Sequence, residues 1–202
     1  MLNPVTSPST AASTFAMEEL RKESTMGAEG TTVAREVRVI DLSNFEARRA
    51  QITEQLWSAA VEIGFFQVSH HGIAQADIDA AFARSAAFFA QPETTKAQWP
   101  LARNAGWESR AQIRPSTGKA DLKESYQVTR PRMASLWPTE AELPGFEAAT
   151  LQFEAQCWQV GMQVLSCFAD KLGMERDFFT RAHNPASPHY QSTLRMLRYF
   201  AQ

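Results

Sequence analysis

Glu62-Ile63-Gly64-Phe65-Phe66-Gln67-Val68-Ser69-His70-His71-Gly72-Ile73 is the stretch on which the fold turns. Ile63 closes an apolar stripe of Ile52, Leu56, Ala59 and Ala60, spaced as one face of a helix requires. Gly64 follows at once, where a left-handed C-terminal cap best accepts glycine. Phe65 to Ser69 is rich in β-favouring residues and has the length of a strand. His71-Gly72 turns the chain out of it.

Upstream, Val37-Arg38-Val39-Ile40-Asp41-Leu42 reads as a short strand, its side chains alternating between two faces. Ser43-Asn44-Phe45-Glu46 matches the S-x-x-E capping box and predicts the helix start. Residues 1–34 are rich in Ser, Thr, Ala and Gly and predict a disordered tail, with Met17 and Met26 as further candidate starts. Downstream, Ile78, Phe82, Ser85 and Phe89 predict a helix from Gln75 to Phe89, stopped by Pro92. Between 92 and 145 prolines and glycines punctuate the chain, and only Ser125 to Thr129 looks strand-like. Pro144-Gly145 precedes the longest predicted helix, Phe146 to Leu172, striped by Leu151, Trp158, Leu165, Phe168 and Leu172 and capped by Gly173. A short helix is expected at Glu175 to Arg181. Thr193 to Phe200 reads as a final strand, two residues before the last residue, Gln202. No internal repeat is visible.

The 202 residues are 44% hydrophobic and 21% charged, with a net charge of -2, which suits a globular domain or one domain and part of a second. No basic stripe offers the electrostatic footprint of nucleic-acid or anionic-membrane binding. No apolar run reaches the ~20 residues that span a bilayer, and no signal-peptide pattern opens the chain. Cys157 and Cys167 fall on one predicted helix about 15 Å apart, which rules out a disulfide between them and points to a reducing, cytoplasmic setting.

Four segments in this order resemble the isopenicillin-N-synthase-like branch of the iron(II)/2-oxoglutarate-dependent dioxygenases. They are Val39-Ile40-Asp41-Leu42-Ser43, the Glu62–Ile73 stretch, Phe88-Phe89-Ala90-Gln91-Pro92 with Lys96, and Leu194-Arg195-Met196-Leu197-Arg198-Tyr199. Gly106-Trp107 and Lys123-Glu124 look like further family positions. His70 stands where the family usually has Asn, and Phe200 where it usually has Pro. The resemblance implies an α+β fold: a mixed helix/strand region, then a long helix leading into an incomplete jelly-roll (double-stranded β-helix) barrel. The implied division is a tail at 1–34, the dioxygenase N-terminal region at 35–145, and the support helix with the opening barrel strand at 146–202.

In this family iron is held by His-x-Asp and a later His, and an Arg-x-Ser grips 2-oxoglutarate. The four histidines here are His70, His71, His183 and His189, and none is followed two residues later by Asp. No catalytic or metal-ligating residue is therefore assigned within the chain. His70 and His71 are neighbours that point to opposite faces. Asp177, His183 and His189 lack the short His-x-Asp bite. Arg198 is the one cofactor-binding candidate: on a strand that lines the pocket in the family, it could give a charged hydrogen bond to a carboxylate. Arg195 falls on the other face of that strand. Lys123-Glu124 reads as a solvated pair at a strand start, and the five tryptophans as packing anchors.

The expectation is thus the N-terminal part of an oxygenase, inactive alone, whose intact parent uses Fe(II) and 2-oxoglutarate to oxidise a small organic substrate by hydroxylation, desaturation or ring closure. A non-catalytic interaction protein derived from that family, or one chain of a two-chain enzyme whose partner completes the barrel, are the alternatives. Neither nucleic acid nor membrane is an expected partner.

Overall fold

The computed structural model describes residues 36–113 and 118–201. The predicted tail, 1–34, lies outside the described residues. The elements are β1 (Val39–Asp41), α1 (Phe45–Glu62), β2 (Gln67–Ser69), α2 (Gln75–Ala90), α3 (Glu93–Lys96), β3 (Gly106–Ser109), β4 (Lys123–Val128), α4 (Phe146–Lys171), α5 (Phe178–Ala182) and β5 (Leu194–Tyr199), with a 3-10 turn at Arg130–Arg132. Strands β1 and β2 pair in parallel, and β3-β4-β5 form an antiparallel sheet with β4 at its centre. The chain divides into two compact units. Arg110–Leu122 belongs to one, and Arg35–Ser109 with Lys123–Gln202 to the other. Within the first, Ile113 bridges Ala120, and Asp121 N–H donates to Gln112 C=O at 2.8 Å.

The decisive stretch folds as a helix, a glycine stop and a strand, but the strand is shorter than expected: it begins at Gln67, and Phe65 is exposed before it. The stripe of α1 buries Ile52, Leu56 and Ala59 completely, and Gly64 takes φ +85° as its N–H returns to Ala59 C=O. Ile40 and Leu42 of the β1 segment, Phe45, and Cys167 of α4 complete this core, with Val68, Val160, Val164 and Phe168 packed against it. Arg49 lies on the buried side of α1, where it donates to Asp170 Oδ2 and Ser166 Oγ of α4, both at 2.9 Å.

The capping box does not form. Asn44 occupies the N-cap at φ 50°, and no side chain caps the helix. Ser43 instead gives its N–H and hydroxyl to the two oxygens of Asp41, at 2.8 and 2.9 Å. A carboxylate two residues upstream outcompetes the helix terminus for the serine.

A second core underlies the three-stranded sheet. Phe88 is fully buried at its centre, its ring 4.3 Å from Tyr126, 5.4 Å from Phe146 and 5.8 Å from Trp99. Tyr126 gives its hydroxyl to Leu136 C=O at 2.6 Å, and burial pushes its ionisation well above the ordinary tyrosine range. Strand β3 and the short α3 were not foreseen, because both lie in the proline-rich middle. Gly106 explains how β3 reaches its place. At φ +104° it sits so close to the preceding loop that a Cβ would come within 2.5 Å of Pro100 O. Among the described residues no helix is long and apolar enough to cross a membrane.

Candidate functional site

The cross-strand register places Trp107, Glu124, Tyr126, Val128, Leu194, Met196 and Arg198 on one face of the sheet. On that face the motif fragments of the sequence meet. Pro92 ends α2 and opens α3, which carries Lys96 to a position 2% exposed. Lys96 Nζ donates to Glu124 Oε2 at 2.6 Å and to Phe89 C=O at 2.9 Å. Trp107 Nε1–H donates to the same Glu124 oxygen at 2.8 Å.

Glu124 is 1% exposed, so the expectation of a solvated Lys123-Glu124 pair is corrected: the carboxylate is buried and neutralised from elsewhere in the chain. Burying one ion alone costs several kcal/mol; paired and hydrogen-bonded, it becomes tolerable. The arrangement ties the end of α2, α3, β3 and β4 together.

Arg198 joins this cluster. Its Nη1 donates to Phe89 C=O at 2.6 Å and stands 3.3 Å from Glu124 Oε1, with the side chain 46% exposed. Glu124 Oε1 is buried without a hydrogen-bond partner, so Arg198 balances its charge without completing a hydrogen bond. Arg195 projects to the opposite face, where it donates to Gln127 Oε1 at 3.0 Å.

A second buried polar cluster was not legible. Arg130 clamps Glu154 of α4 through Nε, at 2.6 Å, and through Nη2, and Tyr190 gives its hydroxyl to the other oxygen of Glu154 at 2.7 Å. Burial, with the Glu154 carboxylate beside it, pushes the Tyr190 hydroxyl up to about 12. No spacing rule connects residues 130, 154 and 190.

The histidines do not converge. His70 Nδ1 lies 2.9 Å from Asp41 Oδ1, and His71 Nδ1 accepts the Ile73 N–H at 3.2 Å. His183 Nδ1 is 2.9 Å from Ser192 Oγ, while Asp177 pairs with Arg181. Among the described residues no three His, Cys, Asp or Glu side chains are grouped to hold a metal ion. The described residues alone do not fit a catalytic iron. Their two charged clusters are paired with their own counter-ions, though Glu124 Oε1 accepts no hydrogen bond, and act as clamps between elements.

Comparison with known proteins places these clamps. Residues 37–141 match the family described as the non-haem dioxygenase in morphine synthesis N-terminal region. The chain is 29% identical over 180 residues to the proline hydroxylase buaE of Petromyces alliaceus, covering 81% of this chain and 55% of that protein. To isopenicillin N synthase of Hapsidospora chrysogena it is 28% identical over 154 residues, covering 66% and 44%. The solved structure of a full-length Neurospora crassa protein in complex with alpha-KG superimposes with a TM-score of 0.70 at 22% identity, over 84% of this chain and 56% of that one. The chain spans about half the length of the curated relatives it matches. With the matched N-terminal family region holding both Lys96 and Glu124, the chain belongs to the isopenicillin-N-synthase-like, 2-oxoglutarate-dependent non-haem dioxygenases.

Proposed function

We propose that these residues form the scaffold half of an oxygenase that uses iron(II) and 2-oxoglutarate to hydroxylate, desaturate or ring-close a small organic substrate. The observation that carries the reading is the seam at Glu124, which joins two segments of the matched family region, Phe88 to Lys96 and Gly106 to Glu124, to the β5 motif. In this reading α4 backs the opening strands of a jelly-roll barrel, and the remaining strands and all iron ligands lie outside the 202 residues. The chain alone is then inactive. Iron with 2-oxoglutarate would supply the oxygen-activating chemistry, and no step of it is assigned to a residue present. Arg198, half-exposed beside a carboxylate it already balances, is the chain's candidate for a second carboxylate, that of the co-substrate. The Neurospora crassa protein of this fold has been captured with alpha-KG and thymine, which supports a small polar substrate without naming it. A cytoplasmic setting is part of the same proposal.

The scaffold-only alternative draws support from the character of both polar clusters, which join elements and leave no paired acid and base for chemistry. The test is the coding sequence beyond the Gln202 codon. The oxygenase reading expects His-x-Asp, a later His and then Arg-x-Ser. A stop codon there, with a stable and monomeric 202-residue product, would overturn it in favour of the interaction protein.

A further inference from the structure

Residues 183–192 lead from the end of α5 toward β5 and close on themselves. His183 Nδ1 lies 2.9 Å from Ser192 Oγ, and turns at Asn184 and Ser187 keep the loop between them compact. Helix α4 grips both ends of this loop. Trp158 Nε1–H donates to His183 C=O at 2.8 Å, and Glu154, four residues before Trp158 and so on the same side of the helix, takes the Tyr190 hydroxyl at 2.7 Å.

The protons in this arrangement can be counted. Glu154, clamped by Arg130, is a carboxylate and can only accept. Tyr190 therefore spends its one hydroxyl proton on Glu154. Its oxygen is left to accept, and the Ser192 hydroxyl bonds to it. Ser192 has no second proton, so toward His183 its oxygen can only accept. Nδ1 of His183 is then the donor and carries a hydrogen. Two hydroxyls and an imidazole could each point either way; the buried carboxylate removes the choice. Among the described residues no hydrogen bond reaches Nε2, so nothing on that side of the ring opposes the assignment.

We propose that Arg130 and Glu154 impose one hydrogen-bond direction on the chain Glu154–Tyr190–Ser192–His183, making His183 an Nδ1–H latch that holds the 183–192 loop on α4 and fixes how β5 is delivered to its sheet. Free histidine in water favours the opposite tautomer, Nε2–H, so the latched form is one that the fold imposes through the partner of the other nitrogen. Tyr190 and Ser192 are positioning residues here: they pass the direction set at Glu154 to a ring that Glu154 does not bond. The neutral ring keeps Nε2 as its basic atom.

The test reads the ring nitrogens directly. The 202-residue chain, labelled with 15N-histidine, is recorded by 15N–1H correlation at about pH 9, where ordinary imidazoles are neutral, with His183→Gln to identify the signals. Nδ1 of His183 should be protonated, with a pyrrole-type shift, and Nε2 bare, with a pyridine-type shift. In Tyr190→Phe, Ser192 loses the acceptor for its proton and donates to His183 instead, so the ring should switch to Nε2–H although Tyr190 does not bond it. Ser192→Ala, the milder change, should return the ring to mostly Nε2–H and speed amide exchange across 184–192 about fivefold or more. An Nε2–H ring in the unaltered protein overturns the proposal. So does an Nδ1–H ring that persists in both variants, which would show that His183 settles its tautomer without the chain. Unchanged exchange in Ser192→Ala overturns it too, because the chain would then order protons and latch nothing.

Discussion

The two cores of this protein are held by different means. Between α1, α4 and the parallel strands the fully buried contacts are aliphatic, from Ile52, Leu56 and Ala59, with Phe45 and Phe168 packed around them and Arg49 bridging to Asp170 at the margin. Under the three-stranded sheet an aromatic core around Phe88 shares its space with a buried ion pair, Lys96–Glu124, both partners under 4% exposed. The first core tolerates imperfect packing at graded cost. The second holds a buried charge whose other cation, Arg198, completes no hydrogen bond to it, so it is intolerant of losing Lys96.

Lys96→Ala would break that contrast most sharply. Leaving Glu124 buried and half-paired should cost about 3–5 kcal/mol, read as a fall in urea midpoint. Adding Glu124→Gln keeps an acceptor for the Trp107 indole and removes the orphan charge, so the double variant should recover part of the loss. A double variant less stable than Lys96→Ala would show that the charge itself is not the liability.

Leu56→Ala tests the aliphatic side. A fully buried leucine predicts a loss of about 2–5 kcal/mol, with no second-site rescue by removing a charge. Tyr190→Phe should cost less, about 1–2 kcal/mol, because it strips Glu154 of one donor and leaves Arg130 in place. The same residue sets an alkaline limit. Its raised ionisation means that folding is favoured below the ordinary tyrosine value of 10.0 and that this contribution is lost as pH climbs through about 12. Tyr190→Phe should remove that portion of the alkaline decline.

Smaller effects are expected at the β1–α1 corner. The Ser43 N–H and hydroxyl, helped by Arg48 and His70, hold the Asp41 carboxyl down from 3.8 to about 2. Its contribution is complete above 3.8 and vanishes as pH falls through about 2. Asp41→Asn should therefore flatten the acid limb of a stability–pH profile and do nothing on the alkaline side. His70 stands at φ 51°, a left-handed position that Asn also favours, so His70→Asn should change stability by less than about 0.5 kcal/mol. His70→Val should cost about 1–2 kcal/mol, since a β-branched side chain suits that backbone poorly.

The aliphatic core was legible because its residues recur at the period of one helix: Ile52, Leu56 and Ala59 announce themselves, and Gly64 marks where they stop. The aromatic core was legible only in pieces. Phe88, Phe89 and Lys96 stood out as a motif, and Lys123-Glu124 as another, yet nothing local says that Lys96 crosses to Glu124 while Lys123 does not. A pair formed across 28 residues leaves no period. The capping box failed for the opposite reason: the pattern was local and complete, but Asp41 lay nearer to Ser43 than the helix did. Phe82 fitted the helical stripe and is nonetheless bare, because periodicity reports which side wants cover and not whether cover arrives. The Arg130–Glu154–Tyr190 cluster had no sequence signal at all.

The claim beneath the comparison is that both cores are scaffold and that the metal-binding residues lie outside this chain. Anaerobic titration of Fe(II) into the purified 202-residue chain, with 2-oxoglutarate present and heat as the readout, addresses it most directly. The account predicts no stoichiometric binding. A tight complex of one iron per chain, abolished by replacing His70, His71, His183 or His189, would contradict it.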